Sequence, residues 1–245
     1  MPEFSSSVQC PSAQFIFGPD HDQNGVTYAV PAPKGVLRLD ISGAATGSLL
    51  VSHNSEIEEP KISLLARADF EDSLSKFVVD VSSGTWVLRT PLVSAACMDF
   101  AMHLQLPTEL KNLTIVSRSL TQVKFTSDGK PMDLVSLNVQ LASQDHRTLL
   151  LPSSAFTVSD MDLSVRGGYI VGDAAFRNIA FVSTRRGDAN TKFSLITRDE
   201  VFGSEQAPRL VTETGDGIAT FHYQNAAHRH IDARHSSTGG KLYLR

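Results

Sequence analysis

Ser183-Thr184-Arg185-Arg186-Gly187-Asp188, Thr212-Glu213-Thr214-Gly215-Asp216 and Ser237-Thr238-Gly239-Gly240-Lys241 state one phrase three times: a small polar pair, a glycine turn, then a short alternating strand. Gly187, Gly215 and Gly239 stand 28 and then 24 residues apart. A period of roughly 20 to 50 residues marks stacked architectures, in which each unit buries its apolar face only against its neighbours. Two or three strands of about five residues, with their turns, take up that much chain.

Working outward, the same grammar begins near Gly35. Val36, Leu37, Leu39 and Ile41 interleave with Arg38, Asp40 and Ser42 as a half-buried strand does. Further strands are expected at 48–51, 61–65, 76–81, 85–89, 102–106, 112–116, 120–125, 134–141, 148–151, 161–165, 169–171, 179–183, 192–197, 208–212, 218–223 and 241–244. Ser83-Gly84, Asp128-Gly129, Gly167-Gly168 and Asp216-Gly217 supply turns between them. Only 66–75 has helical character, with Phe70 and Leu74 four apart. The fold class that follows is all-β, a parallel β-solenoid-like stack of short strands with glycine turns. A β-sandwich is the alternative, but it calls for more tight hairpin turns than Asp128-Gly129 and Asp216-Gly217 supply. Residues 1–34, rich in Pro and Ser, read as an irregular segment that caps the first rung, and 35–245 as a single domain. Phe125, Val139, Leu163, Val165, Phe181, Phe193, Leu195, Phe221 and Leu242 are expected to point inward.

Composition sets bounds on function. Of 245 residues 41% are hydrophobic, enough for a substantial core, and the net charge is -4. Basic residues are scattered, which argues against a nucleic-acid partner, since phosphate binding needs clustered Lys and Arg. No run reaches the 18 or so apolar residues of a membrane-spanning helix. Cys10 and Cys97 read as one exposed and one buried thiol, too few for a disulfide framework. Met1 to Gln9 carries no secretory signal, so the expected location is cytoplasmic, or secreted if the chain is a mature form.

Leu104-Gln105-Leu106-Pro107 followed by Leu110 to Val116 resembles the strand, Leu-Pro, strand step of an adhesin-type β-solenoid repeat family, known from bacteria and abundant in fungi. Leu163 to Gly172 and Phe181 to Asp188 look like its successive rungs; Thr214 to Tyr223 and Ser237 to Leu244 resemble the closing rungs of fungal members. The resemblance covers roughly residues 35–245. It implies surface adhesion and brings no catalytic or binding residues with it; the long regular face of stacked strands, with no reacting constellation, points separately to non-enzymatic binding of protein or glycan. Residues 60–100 depart from the pattern by lacking clear glycine rungs.

The residues themselves offer few chemical candidates. His222, His228, His230 and His235 fall within 14 residues, and zinc is the metal such a cluster would suit. Asp232 is the one carboxylate close by, and Arg229 and Arg234 oppose a cation, so the segment reads first as an exposed polar loop and no metal is expected. Arg186-Gly187-Asp188 fits turn chemistry. No G-x-S-x-G, HExxH, GxxxxGK[ST] or helix-opening GxGxxG occurs, so no cofactor is expected. Asp160 and Asp162, two apart on one strand face, are the residues an alternative carbohydrate-active enzyme of β-helix type, a lyase or hydrolase, would use. The chain stops at Lys241-Leu242-Tyr243-Leu244-Arg245, a strand expected either to tuck into the sheet interior or to serve self-association.

Overall fold

A computed structural model of the protein describes residues 10, 13–18, 25–92, 97–127, 130–142, 148–186, 191–197, 208–216, 218–224 and 231–244. They are nearly all β. In chain order the first strands are β1 (Phe15–Ile16), β2 (Val26–Ala29), β3 (Val36–Ser42), β4 (Thr46–His53) and β5 (Lys61–Ala68). A single helical turn α1 (Glu71–Leu74) precedes β6 (Val78–Ser82), β7 (Thr85–Arg89), β8 (Met98–Leu106), β9 (Asn112–Ser117) and β10 (Leu120–Ser127). Then come β11 (Met132–Leu141), β12 (Thr148–Leu151), the long β13 (Phe156–Arg186), β14 (Thr191–Thr197), β15 (Arg209–Thr214), β16 (Ile218–Gln224), β17 (Asp232–Ser237) and β18 (Lys241–Leu244). All belong to one large mixed sheet.

Two parallel ladders organise it. In the first, β7, β3, β9, β11 and residues 160–165 of β13 lie side by side and in register. Trp86, Leu39, Ile115, Val139 and Leu163 therefore form one row across five strands, and each is fully buried. In the second, β8, β4, β10, β12 and residues 168–170 of β13 align Met102, Leu49, Val123, Leu150 and Ile170 in the same way. The chain alternates between the ladders: β3 then β4, β9 then β10, β11 then β12, and two parts of β13. Strand alternation explains the rows, because every second residue faces the same side and register carries that choice from strand to strand.

Beyond residue 170 the parallel pairing continues. Residues 171–176 of β13 pair with β14, which pairs with β16 and then β18; residues 179–184 pair with β15 and then β17. The three glycine phrases meet here. Thr184, Thr214 and Ser237 stand side by side, and the Gly215 N–H donates to the Thr184 carbonyl at 2.8 Å. A Cβ on Gly215 would lie 2.4 Å from the Arg185 carbonyl oxygen, so the close passage admits only glycine. Gly168 is held more tightly still, at φ +133 with its Cβ position 1.9 Å from the Thr148 carbonyl oxygen.

Antiparallel pairing is confined to the N-terminal half: β6 with β7, β5 with β8, and both β1 and β2 with β5. Residues 60–100, which lack clear glycine rungs, are the stretch in which β5 pairs antiparallel with β8 and β6 with β7. Residues 15–16 and 26–29, read from sequence as irregular, form strands through these pairings. The helical expectation for 66–75 shrinks to one turn, because β5 runs to Ala68.

The two cysteines require a correction. Cys10 and Cys97 form a disulfide with a Cα–Cα distance of 5.5 Å. β1 pairs Phe15 with Ala68, and β5 pairs Ala68 with Met98, so a lateral ladder brings together residues 87 apart in sequence. Beside the bond lies Asp99, fully buried, a lone charge within the apolar run Met98 to Met102. Its carboxylate accepts from Arg67 Nε (2.7 Å), from an Arg67 terminal amine (2.9 Å) and from the Cys10 N–H (3.2 Å). Burying that charge is tolerable because it is paired and multiply hydrogen-bonded.

Of the expected core residues, Phe125, Val139, Leu163, Val165 and Phe221 are buried. Phe181 is not: Ala180 and Val182 take the inward positions of that segment and leave its ring half-buried on the opposite face. The side chains of Phe193, Leu195 and Leu242 lie outside the described residues.

Candidate functional site

The parallel register that builds the core also builds a surface. On the outward side of β3, β9, β11 and β13, Arg38, Thr114, Asn138 and Asp162 form one cross-strand row. Asp40, Val116, Gln140 and Ser164 form a second; Asn112, Ser136 and Asp160 lie in a third. With strands about 4.8 Å apart, four of them span roughly 15 Å. Arg38 and Asp40 close on each other in a two-pronged ion pair at 2.9 Å, which leaves the middle of the face to amides, hydroxyls, Val116 and the two aspartates. A bulge at Val135 and Ser136, whose N–H groups both donate to the Lys111 carbonyl (2.8 and 3.2 Å), pushes Val135 out to 49% exposure at the margin.

Asp160 and Asp162 share this face, as their spacing predicts. Asp160 is exposed and Asp162 half-buried. Opposite them on β11 stand Ser136 and Asn138, neither of them an acid. Burial raises the Asp162 pKa, and Arg185 opposes the shift. Asn138 Oδ1 and Asp162 Oδ1, neighbours in the register, are both buried acceptors with no hydrogen-bond partner among the described residues. Two adjacent acceptors of this kind call for donors, because an unmet buried polar atom costs about 1–3 kcal/mol. Neither aspartate lines the cavities at the strand ends. One, of about 290 Å³, lies among Pro31, Pro60, Pro107, Glu58, Glu59 and Glu109; another, of about 330 Å³, among His53, Asn54, Ser55, Glu56 and Lys130.

Of the four clustered histidines the described pair, His222 and His235, take opposite sides of the sheet. His235 points inward, stacked on Phe221 with ring centroids 5.7 Å apart and its Nδ1 2.6 Å from Thr212 Oγ1. Burial lowers its pKa. His222 follows the buried Phe221 on β16 and so takes the other side of its strand. His228 and His230 lie outside the described residues, as do Gly187 and Asp188 of the Arg-Gly-Asp triplet. No cluster of three His, Cys, Asp or Glu fit for a metal occurs among the described residues.

Sequence reading missed three polar arrangements. Ser52 Oγ lies 2.8 Å from His103 Nε2 on the neighbouring strand. With Ser52 only 4% exposed, a substrate carbonyl has no path to that oxygen, and the pair ties β4 to β8. His53 is buried too, its Nε2 3.1 Å from Thr108 Oγ1 and its Nδ1 3.3 Å from the Lys130 carbonyl. Asp99 is the third, and its charge inside an apolar run was the one signal visible beforehand.

No protein-family model matches the chain, and no curated protein does. Solved structures do. A "putative adhesin" of Bacteroides fragilis is 14% identical with a TM-score of 0.51, over 90% of this chain and 96% of that one. A "putative lipid binding protein" of Parabacteroides distasonis is 11% identical with a TM-score of 0.42, over 91% and 97%. The first likeness is one of fold. No described helix is long and apolar enough to cross a membrane.

Proposed function

We propose that this chain is a non-enzymatic binding protein, adhesin-like in role, that presents the outward face of its first parallel ladder to a protein or glycan partner. The observation that carries the reading is the in-register polar surface of the first ladder, on which Gln140 and Asp160 stand exposed. Hydroxyl and amide N–H groups, which glycans and peptide backbones offer in regular series, are the donors such a surface would take. The alternating ladders wind as a β-solenoid, which makes the surface long and repetitive. The fold shared with the Bacteroides fragilis protein accords with this role. The Cys10–Cys97 bond favours an oxidising compartment, where such bonds persist, over the cytoplasm that the leading residues suggest.

The test is binding of the purified chain to a glycan array and to immobilised matrix proteins, with a Gln140→Ala/Asp160→Ala variant beside it. Selective binding that the variant loses by about tenfold or more supports the reading, the loss of two charge-assisted or neutral hydrogen bonds being of that size. Polysaccharide turnover abolished by Asp160→Asn or Asp162→Asn would overturn it in favour of an enzyme, and binding indifferent to Gln140 and Asp160 would remove the face from consideration.

A further inference from the structure

The two ends of the stack are built differently. The N-terminal end is closed by antiparallel strands, β6 over β7 and β1 and β2 over β5. At the C-terminal end β17 pairs with β15 on one side and, among the described residues, with no strand on the other. The Asp232 N–H donates to the Pro208 carbonyl (3.0 Å) and the Thr238 N–H to the Thr214 carbonyl (3.1 Å). Strand alternation places the N–H of Arg234 and Ser236 on that same side, and turns the N–H and C=O of Ala233 to the open edge. An open edge of this kind is a template for another strand.

We propose that the edge of β17 docks a second copy of this chain, antiparallel, about a two-fold axis at Ala233. The two Ala233 residues then exchange both N–H···O bonds. In this register Asp232 faces the second copy's Arg234 and Arg234 its Asp232, so the edge is self-complementary in charge. Centring the axis on residue 235 would instead set Arg234 against Ser236. The row already in place points the same way: Arg209 stands beside Asp232, and the second copy's Arg234 continues the alternation of sign. Asp232 and Arg234 are free to turn outward, since their own contact is 4.0 Å long and their side chains are 52% and 68% exposed. A two-fold pairing closes on itself, so the product is a dimer and not a fibre. The self-association expected from residues 241–245 is thereby placed on β17, and it stands apart from the binding reading of the polar face.

Sedimentation equilibrium of the full chain over a wide concentration range tests this. The expected result is a monomer–dimer equilibrium. Ala233→Pro, which removes a donor facing the open edge and leaves the bonds to β15, gives a monomer of unchanged circular dichroism. Arg234→Asp sets like charges opposite each other twice and weakens the dimer by about tenfold. The exchange Asp232→Arg/Arg234→Asp restores it. A wild-type chain that stays monomeric at every concentration overturns the proposal, as does a dimer unmoved by both single variants. Should Ala233→Pro fail to fold, the charge variants decide alone: weakening that the exchange does not rescue also overturns it.

Discussion

Removing the Cys10–Cys97 bond is the sharpest test of how the N-terminal segment is held. The bond closes a loop of 87 residues. On the chain-entropy account a loop of that length restricts the unfolded chain by about 4–5 kcal/mol. Typical domains have only about 5–15 kcal/mol in total, so the effect is a large fraction of the whole. Native contacts around the bond are retained in part, because Arg67 still pairs with Asp99 without it. The Cys10 N–H bond to Asp99 and the short strand β1 are the elements most exposed to loss. In urea, Cys10→Ser/Cys97→Ser is expected to be less stable than the oxidised chain by about 3–5 kcal/mol, and the reduced wild type should match it. Hydrogen exchange should quicken first along the β1 and β2 side of β5. A loss below about 1 kcal/mol would refute the reasoning, since the segment would then be held by β1 and β2 alone or not at all.

Other outcomes follow from the same geometry. Phe221→Ala should destabilise by about 3–5 kcal/mol and Phe181→Ala by about 1 kcal/mol, read from paired denaturation midpoints; equal losses would mean the inward and outward positions are misassigned. Burial lowers the His235 pKa, so the unfolded chain takes up this proton more readily. Stability should therefore fall as pH drops below about 6.5, and level off once the folded form is also protonated; His235→Gln should flatten that slope. Asp162 has the opposite sign: its raised pKa means the ionised form is held at a cost at neutral pH, relieved as pH falls through that value. Asp162→Asn removes the charge and gives Asn138 Oδ1 a donor, so it should stabilise at pH 7 by about 0.5–1.5 kcal/mol, with the gain shrinking toward pH 4.

The strands of the first ladder were legible because each is buried on one face only. Leu37, Leu39 and Ile41 alternate with polar residues, and β3 runs as the sequence predicts. Of the glycine phrases, the one at Gly215 has a physical reason in the described residues: the backbone passes too close to Arg185 for a Cβ. What sequence could not give was lateral order. β5 alternates as regularly as β3 and β9 do, yet it pairs antiparallel with β8, and nothing in its pattern encodes direction. The disulfide was hidden for the same reason: it depends on β1 reaching β5 and β5 reaching β8. Of the candidate site, the shared face of Asp160 and Asp162 followed from spacing alone. Asn138 did not, because its place beside Asp162 is a matter of register between strands 24 residues apart.

β17 is the instructive omission. Asp232-Ala233-Arg234-His235-Ser236-Ser237 has no apolar alternation and reads as loop, yet it is a strand along its whole length. Among the described residues β17 has a parallel neighbour, β15, on one side only. The inner positions of β17 therefore need only finish a core. Ala233 adds little bulk, and His235 lays its ring on Phe221 while turning a nitrogen to Thr212. An imidazole suits that boundary, with an apolar body toward the core and a polar atom toward a buried hydroxyl. The same lack of apolar residues keeps the open edge soluble and leaves its selectivity to Asp232 and Arg234. Val and Ile at these positions would pair with any exposed edge, whereas Asp232 and Arg234 favour an edge that carries the opposite charges in reverse order.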